Sequence, residues 1–261
     1  MRVLTVLQAR TGSSRLPGKI LLPLGERTVL EVMLERVRRS RLAGTVCVAT
    51  TTDPDDDALV ALAERAGAAT FRGHPTDLLD RHVQAARAFG ADAVVKIPSD
   101  CPLIDPAEID AVLAPFLAAG GALAYASNLH PPTHPDGNDV EVMTTAALEA
   151  AWREATDPDD REHTTPYLVR HADRFPQRNV PWARGLDLSA SHRIVLDYPE
   201  DYALLRAVHA ALAPADPAYT LDDIVQFLDT HPEVRALNAS RLGIHWWTLA
   251  GKPAPSAETA A

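Results

Sequence analysis

Two features of this sequence could do chemistry together: a cationic loop near the N-terminus and a pair of aspartates far apart in the chain. The loop is Gln8-Ala9-Arg10-Thr11-Gly12-Ser13-Ser14-Arg15-Leu16-Pro17-Gly18-Lys19, rich in glycine, serine and cations. Backbone N–H groups of a Gly/Ser turn such as Gly12-Ser13 can cradle phosphate oxygens, while Arg10, Arg15 and Lys19 would neutralise them. The aspartates are Asp100, in Ser99-Asp100-Cys101-Pro102, and Asp197, in Leu196-Asp197-Tyr198-Pro199. Two carboxylates facing one triphosphate would suit Mg²⁺, which takes a few hard oxygens from protein and the rest from phosphate and water. An aspartate close to a proline also reads as an Asx turn or a helix N-cap. The residues alone leave both readings open for Asp100 and Asp197, whereas Asp105-Pro106 fits the cap. The run Asp53-Pro54-Asp55-Asp56-Asp57 reads mainly as a capped, solvated helix start.

For the loop and the aspartates to meet, the chain must bring three distant segments to one edge. Residues 3–9 form an apolar, β-branched run that reads as a buried strand. Further strands are expected at 45–49, 69–71, 93–97 and 123–127, alternating with helices at 29–40, 56–66, 77–89 and 106–117. That alternation implies crossover connections, hence an α/β fold: a Rossmann-like, mostly parallel sheet sandwiched by helices. Such sheets bind ligands beyond the C-terminal ends of their strands, where both the loop and Asp100 fall. Asp197 joins them if 192–196 is a strand in or beside the same sheet.

The second half is less regular. Residues 130–137 read as an extended loop, 140–143 as a strand, 145–155 as a helix, and 161–171 as a helix that Pro166 ends or kinks. Helices are expected at 199–212 and 221–229. The organisation expected is one domain over 1–250 with an insertion near 128–190, then a disordered Pro/Ala-rich tail over 251–261. Trp246-Trp247 reads as packing for the last segment rather than as a sugar-stacking surface.

Composition sets limits. Lys and Arg total 25 against 35 Asp and Glu, a net charge of −10. A chain this acidic lacks the basic excess that nucleic-acid backbone demands, so no nucleic-acid partner is expected. Hydrophobic residues at 46% and charged ones at 23% are ordinary globular values. Two cysteines, Cys47 and Cys101, give neither a disulfide scaffold nor a cysteine-rich zinc site and suit a reducing compartment. Short apolar runs give no signal peptide and no membrane span, so a cytoplasmic protein is expected. The phosphate loop is not a Walker loop, because five residues separate Gly12 from Gly18 and Ile20 follows Lys19. The dinucleotide pattern G-x-G-x-x-G is absent too.

Gln-Ala-Arg-x-Gly-Ser-x-Arg-Leu-Pro-Gly-Lys resembles the signature loop of CMP-sugar synthetases, the acylneuraminate and ketodeoxyoctonate cytidylyltransferases among them. The match is closest to the spore-coat polysaccharide biosynthesis type. Ala49-Thr50-Thr51-Thr52-Asp53-Pro54, Phe71-Arg72-Gly73, Asp80-Arg81, Asp100-Cys101-Pro102-Leu103-Ile104-Asp105 and Asp136-Gly137-Asn138-Asp139-Val140-Glu141-Val142 resemble that branch in order and spacing. So do Arg161-Glu162-His163-Thr164-Thr165-Pro166-Tyr167 and Leu196-Asp197-Tyr198-Pro199-Glu200-Asp201, and the likeness extends over roughly 1–205.

The resemblance implies a nucleotide-diphospho-sugar transferase-like (GT-A-like) fold and a cytidylyltransferase. CMP would pass from CTP to a sugar, sugar acid or similar small-molecule acceptor, with Mg²⁺ on Asp100 and Asp197. It points to backbone atoms near Leu7 and Ala9, with Arg72 or Gly73, for the base. Asp77 and Arg81, at the start of the third helix, are nucleotide-site candidates, although Asp77 serves equally well as a cap. It also implies a homodimer. Asn128, Asp136, Asp139, Glu141, Arg161 and His163 form the expected acceptor pocket, because acidic and amide groups suit hydroxyl-rich ligands. An acceptor carboxylate or phosphate would instead want Arg161, Arg193 or Lys96. Two rivals remain: a glycosyltransferase that uses a nucleotide sugar, and a non-catalytic nucleotide-binding regulator. The chain departs from the pattern at Pro98-Ser99, where Thr-Gly is commoner, and at 192–195, where Arg-Trp-Thr is commoner.

Overall fold

The structure, a computed structural model, describes residues 1–249, 251 and 256; most of the tail expected to be disordered, 251–261, lies outside the described residues. In chain order the elements are β1 (Val3–Gln8), a hairpin of β2 (Pro23–Leu24) and β3 (Arg27–Thr28), α1 (Val29–Arg38), β4 (Thr45–Thr51), α2 (Asp57–Arg65) and β5 (Ala69–Gly73). Then come α3 (Leu78–Phe89), β6 (Ala93–Pro98), α4 (Pro106–Ala118), β7 (Tyr125–Ser127), β8 (Glu141–Thr144), α5 (Thr145–Glu154), α6 (Pro158–His163) and α7 (Pro166–Arg170). The chain continues through β9 (Gln177–Asn179), α8 (Pro199–Leu212), α9 (Leu221–Thr230), α10 (Pro232–Arg235) and α11 (Trp246–Leu249).

Seven strands form one sheet in the order β5-β4-β1-β6-β8-β7-β9. β5, β4, β1 and β6 run parallel, and β8 enters antiparallel to β6. That reversal matters for the site. It sets Glu141, at the start of β8, in register with Lys96, near the end of β6, so both belong to the edge where β1 also ends.

Period-two alternation splits the strands between two cores. Leu4 and Val6 of β1 and Val94 of β6 face a cluster with Leu79 and Val83 of α3 and Leu148 of α5. Leu7, Val95 and Ile97 face the opposite cluster, with Met33 of α1, Leu113 of α4, Leu205 of α8 and Ile224 of α9. Helix starts are set by side chains in place of missing backbone partners. Thr28 and Glu31 form a capping box on α1, and Asp105 caps α4 by accepting from Ala107 N at 2.8 Å. The α/β class with a mostly parallel sheet between helices is therefore as expected.

Two local expectations need correction. Residues 192–196 form no strand: a single bridge pairs Arg193 with Asp136, and the chain otherwise runs as an extended segment beside the 136 loop. Asp136 N donates to His192 O at 2.9 Å, Ile194 N to Asp136 O at 2.7 Å and Leu196 N to Asp100 O at 2.7 Å. These few bonds still deliver Asp197 to the edge, which a ladder would have done with more. The helix expected over 161–171 divides into α6 and α7, because Thr164 takes a left-handed φ of 73° and Pro166 opens the next helix.

The approach of the 136 loop to the 193–195 segment requires a glycine. Gly137 has φ 111°, and a Cβ built there would lie 2.6 Å from the carbonyl carbon of Ile194. Gly137→Ala should cost about 2–3 kcal/mol, as overpacking plus backbone strain, visible as an earlier thermal unfolding transition. An unchanged transition would show that the two segments separate freely.

Candidate active site

The cationic loop leaves the C-terminal end of β1 and curls on itself: Gly18, at φ 66°, donates its N–H to Thr11 O at 3.0 Å. Its root is held by a residue that the sequence pattern hides. Asp56 is buried, 2% exposed, and is not part of a solvated helix start. One carboxylate oxygen accepts from Thr11 N at 2.8 Å and Thr11 Oγ1 at 2.7 Å; the other accepts from Thr50 Oγ1 at 2.7 Å and from Thr51. Burial alone would raise this carboxyl, but the hydroxyl and amide donors of Thr51, Thr11 and Thr50 hold it down at about 2. The loop is thereby tied to the end of β4.

Beyond it opens a cavity of about 590 Å³. Gln8, Ala9, Arg10, Ser13, Arg15 and Lys19 line it, together with Asp100 and Asp197. Lys19 Nζ donates to Asp197 Oδ1 at 2.9 Å and to Leu196 O at 2.7 Å, and Arg15 Nη2 reaches Asp197 Oδ1 at 2.8 Å. Burial would raise the Asp197 carboxyl, yet Lys19 and Arg15 keep it below the ordinary carboxylate range. Asp100 shifts the other way: burial and the charge of Asp197 raise it, with Lys19 only partly opposing. Two neighbouring carboxylates, one of them raised by burial and the other's charge, are a hard-oxygen pair suited to a divalent cation. Among the described residues no group of three or more His, Cys, Asp or Glu side chains could hold a metal ion. An ion at this pair would therefore complete its shell from phosphate and water.

Asp197 is placed by a buried network. The Asp201 carboxylate accepts from the N–H groups of Asp197 and Tyr198, both at 3.0 Å, which caps α8. Arg193 grips the same carboxylate through Nε at 2.8 Å and Nη2 at 3.0 Å, and Asn238 Nδ2 adds a bond at 2.9 Å. Arg193 Nη1 reaches Asp136 at 2.9 Å.

Residues 4–212 match the family model described as Cytidylyltransferase. The chain belongs to the cytidylyltransferase family. It is a nucleotidyltransferase enzyme, and its relatives agree. The structure of a cytidylyltransferase from Leptospira borgpetersenii serovar Hardjo-bovis (strain JB197) is 33% identical, with a TM-score of 0.85 over 90% of this chain and 96% of that one. The spore coat polysaccharide biosynthesis protein SpsF of Bacillus subtilis (strain 168) is 28% identical over 236 residues, 88% of this chain and 95% of its own. A CMP:2-keto-3-deoxy-manno-octonic acid synthetase, solved in complex with CTP, shares the fold at 19% identity and a TM-score of 0.62, over 81% of this chain and 99% of that one.

Within this cytidylyltransferase the residues expected at the acceptor are distributed unevenly. Asp136, Asp139, Glu141, Asn128 and His163 line the cavity. Asn128 also closes the 128–140 loop, donating to Asn138 O at 2.7 Å and accepting from Val140 N at 3.0 Å. Burial raises the Asp136 carboxyl to about 7 despite Arg193, and burial with Asp136, Asp100 and Glu141 raises Asp139 well above the ordinary range. Burial would raise Glu141 as well, but Lys96 holds it low; Glu141 also accepts from Tyr125 Oη at 2.6 Å.

Other expected residues stand elsewhere. Arg161, expected to bind the acceptor, is outside the cavity lining: it donates to Asp77 at 2.8 Å and to Trp152 O at 2.6 Å. Asp77 itself caps α3, accepting from Asp80 N at 2.8 Å. Arg72 is turned to Thr51 O at 2.9 Å and Asp53 O at 2.6 Å, while Gly73 packs against Phe71 and Arg81. The Leu7 side chain is core while Ala9, the other position expected to offer backbone atoms, lines the cavity; Gly12 lies outside the lining. Arg81 does line the cavity; burial and the neighbouring charge of Arg10 lower it to about 10, and His74 O and Pro75 O accept its hydrogen bonds. Asp56, Arg193 and Asp201 were missed as a positioning set. The one available signal was the Asp at the third position of a helix opened by Pro199.

The Asp56 clamp has a pH consequence. Its folded carboxyl titrates lower than the unfolded one, so its contribution is complete above the ordinary aspartate range and is lost as pH falls toward about 2. Asp56→Ala should lower stability by about 2–4 kcal/mol at pH 7 and make denaturant unfolding less sensitive to pH between about 5 and 2. An acid-unfolding profile identical to that of the parent would contradict the clamp.

Proposed function

We propose that this enzyme transfers the cytidylyl group of CTP to a hydroxyl-bearing sugar or sugar-acid acceptor, releasing pyrophosphate, with Mg²⁺ held by Asp100 and Asp197. The observation that carries the reading is the convergence of the N-terminal cations on the distant acidic couple. Arg15 and Lys19 lie within 2.9 Å of Asp197, and the backbone bond from Leu196 N to Asp100 O joins the two aspartates' segments.

When bound there, the ion would neutralise phosphate charge, polarise the α-phosphorus and favour departure of pyrophosphate. The chain supplies the rest. Arg10, Arg15 and Lys19 gather on the side that takes the triphosphate, where Ser13 also lines the cavity. The carboxyl groups of Asp136, Asp139 and Glu141 would hydrogen-bond acceptor hydroxyls, and His163 lines the same cavity. In-line attack of an acceptor oxygen on the α-phosphorus needs positioning and charge balance rather than a protein nucleophile. Cys101 fits that account: burial and nearby carboxylates push its thiol well above the ordinary range, so it stays protonated and inert. The choice of cytosine is supported by family membership.

Incubation with CTP, Mg²⁺ and a panel of acceptors should release pyrophosphate. Lys19→Ala and Asp100→Ala should each lower kcat/KM at least about 100-fold while leaving the thermal transition near that of the parent. Activity within a few-fold of the parent in either variant would overturn the assignment, and transfer from a nucleotide sugar without pyrophosphate would favour a glycosyltransferase.

A further inference from the structure

The family match ends at residue 212, and a later part of the chain returns to the cavity. Gly243, Ile244, His245, Trp247 and Leu249 line it. The segment is docked on the residues that carry Asp197. Arg193 Nη1, which also holds Asp136, donates to Ile244 O at 3.2 Å. Arg241 pairs with Glu200, in the first turn of α8, at 3.0 Å. The Arg241 guanidinium also lies 4.1 Å from the ring centroid of Tyr198, a ring that Arg15 contacts at 5.6 Å. A local turn fixes the segment's shape: Thr248 Oγ1 accepts from His245 N at 2.9 Å and donates to His245 O at 2.7 Å.

On this segment the rings of His245 and Trp247 stack, with centroids 4.3 Å apart and planes 11° from parallel. Stacked in this way each ring backs the other, and both residues line a cavity whose lining also holds the acidic Asp136, Asp139 and Glu141. The two surfaces suit opposite parts of one kind of ligand. Carboxyl groups hydrogen-bond sugar hydroxyls, while an aromatic face covers the apolar C–H face of a sugar ring. An open-chain acceptor has hydroxyls but no such face.

We propose that the His245–Trp247 pair is a stacking subsite for the ring of the acceptor, which makes the C-terminal segment a specificity wall added to the family's nucleotide site. The inference rests on the transferase reading above, and it replaces the expectation that Trp247 only packs the last segment. Arg193 serves here as a positioning residue, since it holds the acidic wall and the aromatic segment at once.

The test compares the full chain with Trp247→Ala and Trp247→Phe, using pyrophosphate release. Ring acceptors are 2-keto-3-deoxy-manno-octonate, glucose and N-acetylglucosamine; open-chain ones are glycerol phosphate and ribitol phosphate. CTP binding with Mg²⁺ is measured separately by calorimetry. Trp247→Ala should raise KM for the ring acceptor that the parent uses about five- to tenfold, with Trp247→Phe recovering most of the loss. CTP affinity should stay within about twofold, because the nucleotide loop is untouched. An unchanged acceptor KM, an equal loss of CTP affinity, or turnover by the parent of open-chain acceptors alone would overturn the stacking subsite and leave the transferase reading standing. Pyrophosphate release from neither set, although CTP binds, would sink the transferase reading and the subsite with it.

Discussion

Arg193 is 2% exposed and makes a bidentate pair with Asp201, which is wholly buried. A buried ion pair is tolerable only when its remaining hydrogen-bonding capacity is also met. Here the surplus bonds are spent on the site. Asp201 turns its other capacity to the N–H groups of Asp197 and Tyr198, which fixes the approach to α8 and so the Asp197 carboxylate. Arg193 turns its third nitrogen to Asp136 and to Ile244 O. One interaction thus sets the relative places of three walls that come from distant parts of the sequence. Removing Arg193 would leave the buried Asp201 carboxylate without its charge partner and free Asp136 and Ile244, and removing Asp201 would free the N–H groups of Asp197 and Tyr198.

The cavity resolves a problem that composition poses. A chain with net charge −10 must hold a polyanion, and it does so by segregating charge. Cations gather on the loop after β1, where Arg10, Arg15 and Lys19 are concentrated, while carboxylates gather where β8 reverses direction. Asp197 balances Lys19 and Arg15, so these cations are already held in place by the chain itself. Preorganised cations cost little further ordering on binding. On the acidic side the neighbouring cations are already committed. Lys96 is paired with Glu141 and Arg193 with Asp201 and Asp136, which leaves that wall suited to hydroxyl donors.

Much of this was legible in the sequence because its logic is local or topological. A cationic Gly/Ser loop after the first strand needs only the strand to be recognised, and the parallel-sheet rule then places Asp100 at the same edge. Asp197 reached that edge for a reason that periodicity does not show, through three backbone bonds rather than a ladder. Asp56 was hidden by its own run of aspartates, which looks like a solvated cap; only folding reveals that one member turns inward to five donors. Arg72 and Arg161 make contacts within the chain outside the cavity lining, and Asp77 takes the cap reading that stood open beside the ligand one, for a related reason. A polar side chain near a motif reads the same in sequence whether it meets ligand or ties two elements together, as Arg161 and Asp77 do. The C-terminal wall carries no motif, so its return to the cavity is visible only in three dimensions.

The break between α6 and α7 shows how backbone shape serves the same cavity. Thr164 is β-branched and buried, yet it adopts φ 73° and ψ −48°, with Thr165 N donating to His163 O at 2.9 Å across a γ-turn. Such a turn is strained and persists only where its surroundings over-determine it. Thr164 N donates to Asp160 O, Asp160 pairs with Arg170 of the next helix, and Val169 N donates to Thr165 O. Those bonds bind the two short helices to each other across the turn. A continuous helix would carry 161–171 along one axis. The turn instead lets Glu162 and His163 line the cavity, with Thr165, Pro166 and Val169 of the following segment beside them. The strain is offset by packing, and what it achieves is a cavity wall built from both sides of a helix break.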